Sequence, residues 1–508
     1  MLPALIPPLL FLPMVLSPPV NHDVAAVLQF SQRWLAGEHL YNDLIDVNPP
    51  LIFVLNLIPA AIGAMTPVSA VVALQLCILL FGLMCWRIAF RVRDRGEEGV
   101  SERAFLDVLP LLFLLGAGYD FGQREHLMAI GALPYVVASA RRAQGVQPRL
   151  RLVTGLVAGV AFAMKPHFLA IPGLVELAVL AGRSQGGWRW ALRVTVADRL
   201  LWGMAAVWGI YLISLPLVFA DYLGFVVPLV WDYYLDLGGV SAWDVLLQPR
   251  LATVLVLLTP LLCLAFRRGL APDAARPRLL ALAALGALAS AVAQHKGFSY
   301  HIVPIEFFAT ALACVLMCRW LDGLEDRLPS PYRIAAVLGG LCLLYTISNG
   351  EAPWKELDYR NSEVAGLTAL LKKTASGAPY GARVLVLSPG IYPIFPALNY
   401  ASVRLTLRSM NMWLLQGAYD QCLPDGRRYR EVWEMGRAEF SVFRSVAEDF
   451  AAAPPAAVLV DRDPGIPWCG SQFDFVAYFM RNPLFAQGWS HYELSAEWDR
   501  YRLYKRRD

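Results

Sequence analysis

Charge is scarce in this chain. Of its 508 residues only 17% are Asp, Glu, Lys or Arg, against about 25% in an average soluble protein. No Gly-rich phosphate loop, Cys-rich metal cluster or basic low-complexity tail is present. Those absences argue against a P-loop enzyme, a zinc module and a nucleic-acid partner. No internal repeat is visible either, which weighs against the commonest transporter architectures. The net charge of +4 is small, so the placement of basic residues says more than their sum.

What the chain has instead is apolar length. Hydrophobic residues make up 57%, and mean hydropathy is +0.48. Runs such as "LQLCILLFGLMCW" and "LLALAALGALASAVA" predict an all-α polytopic membrane domain. About eleven spans are expected, near 3–19, 68–90, 105–119, 126–140, 152–166, 168–182, 200–220, 250–266, 279–294, 301–318 and 334–348. The first, "LPALIPPLLFLPMVLSPPV", lacks a basic n-region and an A-x-A-like site. It reads as a membrane helix rather than a cleaved signal.

Segment 50–64, "PLIFVLNLIPAAIGA", is ambiguous by hydropathy. Read as an interfacial helix, it puts Arg87, Arg91, Arg93, Arg95 and Arg103 inside. Arg141, Arg142, Arg149 and Arg151 then follow inside, as do Arg183, Arg189, Arg193 and Arg199. So do Arg267, Arg268, Arg276 and Arg278, and finally Arg319, Arg327 and Arg333. Within 1–348 the outer loops and helix ends hold only Arg33, Arg124, Lys165, Arg250 and Lys296. The positive-inside rule selects this arrangement. It makes the N-terminus cytoplasmic and puts everything after about residue 349 outside.

That division gives a membrane domain over 1–348, with an outer loop at 20–67, and a small α/β domain over 349–508. In the tail, "ARVLVLS", "AAVLVD" and "RYRLYK" predict strands. "SEVAGLTALLKKTA" and "VFRSVAEDFAAA" predict amphipathic helices. Cys77, Cys85, Cys263, Cys314, Cys318 and Cys342 lie in or beside spans and read as packing residues. Cys422 and Cys469 share the tail and are candidates for one disulfide.

With this topology the unusual polar residues gather on the outer side. They are Asn21, His22 and Asp23; Glu38, Asp43 and Asp46; and "YDFGQREH", with Asp120, Gln123, Arg124, Glu125 and His126. "MKPHF" adds Lys165 and His167. Loop 221–249 adds Asp221, Asp232, Asp236 and Asp244. "QHKGFSYH" adds His295, Lys296, Tyr300 and His301. Taken singly, each reads as readily as a solvated loop end or interfacial anchor. Lys165 is harder to read that way. It stands between two apolar runs, where an unpaired charge costs at least ~2.5 kcal/mol. It therefore needs an anionic partner, either a lipid phosphate or a nearby carboxylate. The residue types suit transfer from a phosphate-linked lipid: cations for the leaving phosphate and a carboxylate to deprotonate the acceptor.

The order and sidedness of these pieces resemble the GT-C superfamily of integral-membrane glycosyltransferases. The nearer resemblance is to bacterial members related to protein O-mannosyltransferases, lipid A aminoarabinose transferases and rhizobial lipopolysaccharide galacturonosyltransferases. It rests on Asp23 followed by "AGEHLYNDLIDVNPPLIFVL", on Lys165-Pro166, and on "HKGFSYHIVP". In layout it covers residues 1 to about 348.

The resemblance implies a polyprenyl-phosphate-linked sugar as donor, membrane lipids as surroundings, and an envelope glycan, lipid or protein as acceptor. It puts Asp23 at the catalytic acid and Asp46 at a second, often acidic position. Lys165, Arg124 and Lys296 become donor-phosphate contacts. His22, Glu125, His126, Tyr300 and His301 become candidate substrate contacts, with Glu125 also a partner for Arg124. Many relatives carry adjacent acids where Asp23 stands alone, and a basic residue where Asn48 precedes the proline pair. No cofactor follows from the sequence. A divalent cation suits the acid and histidine content, but no ligand spacing defines a site. Two alternatives belong to other classes: a transporter or flippase, and a polymerase or ligase, each for lipid-linked glycans. A transporter places its coupling charges near mid-membrane, whereas these gather toward one face.

Overall fold

The computed structural model describes residues 2–92, 100–234, 239–267, 275–322, 338–339, 353–374 and 382–507. The expected span 334–348 lies outside the described residues except for Leu338 and Gly339, and Cys342, Arg93, Arg95, Asp236, Arg268, Arg327 and Arg333 also lie outside them. The chain forms two compact units from interleaved stretches. One contains 1–18, 72–217 and 239–357; the other contains 19–71, 218–238 and 358–508. The first inter-span loop thus clusters with the C-terminal stretch rather than with the helices that flank it in sequence.

The first unit is helical. Among the described residues, five helices are long and apolar enough to cross a membrane: Ala70–Val92, Arg199–Val218, Pro249–Phe266, Ala275–Ala293 and Ser299–Trp320. Shorter apolar helices include Ala4–Leu16, Phe105–Leu115 and Arg151–Ala163. The Arg199–Val218 helix exposes Trp202, Ile210, Ile213 and Leu217. Such a surface is costly in water and ordinary against lipid. Glycines set one helix crossing. A Cβ at Gly203 would meet Leu152 O at 2.7 Å, and one at Gly159 would meet Val207 Cβ at 2.9 Å. The "GLVAG" stretch therefore lets two backbones approach as only small residues allow.

A buried ion network ties the loop ends together in this unit. Arg142, with no exposed side-chain surface, holds Glu176 at 2.6 Å and Asp198 at 2.6 Å. Arg183 reaches Asp198 at 3.1 Å and Thr195 Oγ1 at 3.0 Å. These two arginines, counted toward topology above, also hold the fold.

The second unit carries a five-stranded sheet in the order β2-β1-β3-β5-β4. The strands are β1 (Arg383–Leu387), β2 (Arg404–Leu405), β3 (Ala457–Asp461), β4 (Tyr492–Trp498) and β5 (Tyr501–Arg506). β1 pairs in parallel with β2 and β3, while β5 runs antiparallel to β3 and β4. The expected strands are β1, β3 and β5. β2 and β4 are not among the expected strands: one is two residues long, and the other is mostly exposed on an edge. Both expected tail helices form, as Pro353–Thr374 and Arg437–Ala452. Cys422 and Cys469 are bonded, with Cα atoms 5.5 Å apart.

The first inter-span loop folds onto this sheet as two helices, His22–Leu35 and Pro50–Met65. Pro50 opens the second helix, where a missing N–H costs nothing. Buried Gln29 donates from Nε2 to Val403 O at 3.0 Å and accepts from Leu405 N at 3.0 Å. One side-chain amide thereby satisfies the free edge of β2. Arg33, 2% exposed, donates to Leu407 O at 2.7 Å and pairs with Glu38. Ile45 N donates to Arg408 O at 2.6 Å.

Candidate functional site

In the helical unit the polar residues collect where several helices begin and end. Arg124 and Glu125 open the Arg124–Ala143 helix. Lys165 lies between the Arg151–Ala163 helix and the turn Pro166–Leu169. Gln294 and Lys296 follow the Ala275–Ala293 helix, and Ser299, Tyr300 and His301 open the last described span. Two helix N-termini therefore add their positive ends to the same region.

Lys165 donates to Glu125 Oε1 at 2.5 Å and to Gln294 Oε1 at 3.0 Å, and its Nζ stands 5.2 Å from the centre of the Tyr300 ring. His301 is within electrostatic reach of Lys165, His167, Arg124 and Lys296. Arg124, Glu125, Lys165, Lys296 and His301 are all buried. Asp120, also buried, accepts from Ser299 Oγ at 3.1 Å. Among the described residues, Glu125 Oε2, His167 Nε2 and His301 Nδ1 have no hydrogen-bond partner. His167, in the turn between two spans, is pushed down to about 3 by burial and then by Lys165 and Arg124. It stands as a neutral ring.

The anionic partner demanded for Lys165 is therefore a carboxylate of its own unit. That carboxylate is Glu125. His126 has a different setting: its Nδ1 accepts from Gly122 N at 3.1 Å, and its Nε2 lies 2.8 Å from Phe113 O. Those bonds fix the approach to the helix. Gln294 and His167 complete the cluster without having been named as site residues. Gln294 had one signal, a polar side chain ending an alanine-rich span.

The sheet-bearing unit holds Asp23 and Asp46. Asn21 Oδ1 caps the His22–Leu35 helix by accepting from Asp23 N at 2.9 Å. Asp23 then sits in the first turn, where the helix dipole favours a carboxylate. Its side chain is 20% exposed and 3.7 Å from His22 Nε2. The His22 ring packs edge-on to Tyr392, 6.1 Å away. Asp46 Oδ1 accepts from Asn48 N at 2.7 Å, a turn that presents the proline pair. Its charge also reaches Tyr222, whose hydroxyl is pushed up to about 12 by burial and then by Asp46. Asp43 and Asp244 have local duties. Asp43 accepts from His39 N at 2.8 Å, and Asp244 closes a capping box with Ser241. Among the described residues no group of three or more His, Cys, Asp or Glu side chains is placed to hold a metal ion.

No protein-family model matches the chain, and no curated protein sequence matches it. Among solved structures, ArnT from Cupriavidus metallidurans in the apo state is similar with a TM-score of 0.56. The likeness covers 98% of this chain and 96% of that one at 13% identity. At that identity it is a likeness of fold, and it runs along nearly the whole length of this chain.

Proposed function

We propose that this chain is a membrane glycosyltransferase. It moves a sugar from a polyprenyl-phosphate donor to an envelope glycan, lipid or protein acceptor, with inversion, at the outer face of the bacterial cytoplasmic membrane. One observation carries the reading: buried Arg124, Lys165 and Lys296 gather with His167 and His301 around Glu125 and Asp120. Three cations in one cluster suit a donor phosphate. The GT-C fold, the apolar spans and the two helix N-termini support it.

In this reading Asp23 takes the proton from the acceptor hydroxyl or amine. The acceptor atom bonds to the anomeric carbon as that carbon's bond to the phosphate oxygen breaks. The electron pair leaves with polyprenyl phosphate, whose growing charge Lys165, Arg124 and Lys296 stabilise. His301 and Tyr300 offer sugar contacts, and His22 and Asp46 contact acceptor or donor hydroxyls.

The test uses purified protein with a polyprenyl-phosphate sugar and measures release of polyprenyl phosphate. It is paired with mass spectrometry of envelope lipids and glycans from cells with and without the protein. Release plus one sugar-sized mass change is expected. Movement of intact lipid-linked substrate, with no bond broken, would overturn the reading in favour of a transporter.

A further inference from the structure

A cavity of about 270 Å³ lies within the sheet-bearing unit, away from Asp23. Its walls come from the His22–Leu35 helix, the Pro50–Met65 helix and the stretch leading into β2. Gln29 marks its near end on the first helix. Six residues of rise separate that position from Asp23 by about 9 Å.

The lining divides by chemistry. Gln32, Asn399 and Arg404 form a polar side; Ala60, Gly63 and Ala64 form an apolar side with little side-chain bulk. The polar groups have unmet bonding capacity. Asn399 Nδ2 donates to Ala25 O at 3.0 Å, which fixes the amide and leaves Oδ1 buried with no donor among the described residues. A buried acceptor in that state costs about 1–3 kcal/mol. Arg404 is exposed at the cavity, and neither it nor the Gln32 amide has a side-chain partner among the described residues. Arg33, which also lines the cavity, is already matched by Glu38.

We propose that this cavity binds the anionic, hydroxylated headgroup of a membrane lipid. The guanidinium of Arg404 suits a phosphate. A headgroup hydroxyl supplies the donor that Asn399 Oδ1 lacks, and Gln32 can give or take one more bond. The size lies just under the usual range for small-ligand pockets, about 300–1,000 Å³, and suits a headgroup better than an oligosaccharide. The depth points to a lipid. The Pro50–Met65 helix exposes Val54, Ile58 and Met65 along one apolar stripe, and the cavity lies on its opposite flank. Val71, at the cavity wall, is the second residue of a helix apolar enough to span the membrane.

This inference does not depend on the reaction proposed above, because its test reads lipid retention and not turnover. The full-length protein is incubated in detergent with equimolar phosphatidylglycerol and phosphatidylcholine of matched chains, then examined by native mass spectrometry. Wild type is expected to keep one phosphatidylglycerol in preference. Arg404→Gln should reduce that retention at least tenfold. Ala64→Phe, which fills the cavity, should do the same, whereas Ala64→Ser should not. Equal retention of the two lipids by wild type would overturn the proposal, as would undiminished phosphatidylglycerol in Arg404→Gln. That variant changes an exposed side chain, so it decides the matter even if Ala64→Phe does not fold.

Discussion

Lys165 and Glu125 form a 2.5 Å ion pair in which neither side chain is more than 9% exposed. The pair makes a signed prediction about donor binding. Lys165→Ala removes a cation and should weaken donor affinity at least tenfold. Glu125→Gln keeps the side chain's shape but deletes the opposing charge, so it should tighten donor binding several-fold. Both variants break a buried pair and should lose about 3–5 kcal/mol of stability. Equilibrium binding of a labelled polyprenyl-phosphate sugar, set beside thermal unfolding, separates the two effects. If both variants weaken binding equally, the cations serve the fold and not a phosphate.

Asp23 is argued on different grounds, since its position in a capped first turn favours a carboxylate but does not by itself make a base. Asp23→Asn preserves size and the Asn21 cap. It should lower the transfer rate by about 10²–10⁴, the usual contribution of a positioned general base. Donor affinity and unfolding temperature should stay near wild type. Full turnover by this variant would remove Asp23 from the chemistry.

The spans were legible because lipid imposes one rule, continuous apolar length, and the described helices follow the runs closely. The 50–64 segment was legible as a helix from its proline start, and its exposed Val54–Ile58–Met65 stripe suits an interface. The site was readable only in part. Lys165 declared itself by its cost in an apolar setting, but its partner did not. Glu125 is forty residues away in sequence, and no spacing links the two. The Gln29 contact was invisible for a related reason. A glutamine within an amphipathic helix gives no hint that it will complete a strand formed more than three hundred and seventy residues later.

Arg142 offers a test of structure without function. It carries no exposed side-chain surface and bridges Glu176 and Asp198. Arg142→Met would leave two carboxylates facing each other with only Arg183 and Arg151 near Asp198. A loss of about 3–5 kcal/mol is expected, read as a lower unfolding temperature in detergent. Donor affinity per folded molecule should not change, because Arg142 makes no described contact with the cluster around Lys165. A selective loss of donor binding in stable protein would contradict that separation.

Gln29 joins the helix that carries Asp23 to the edge of the sheet. Its amide is the sole described side-chain partner of both Val403 O and Leu405 N. Gln29→Leu fits the buried space but leaves one carbonyl and one N–H without partners. At about 1–3 kcal/mol for each unmet buried group, the expected loss is about 2–6 kcal/mol. Gln29→Glu separates the two bonds: it can still accept from Leu405 N but cannot donate to Val403 O, and it brings a buried charge, so it should be at least as damaging. Because the helix also positions Asp23, the Leu variant should lose transfer activity more than donor affinity. Hydrogen exchange at Leu405 gives the direct readout. Faster exchange there in Gln29→Leu, with exchange at β3 unchanged, is the expected result. Unchanged exchange at Leu405 would mean that the amide does not hold the strand edge.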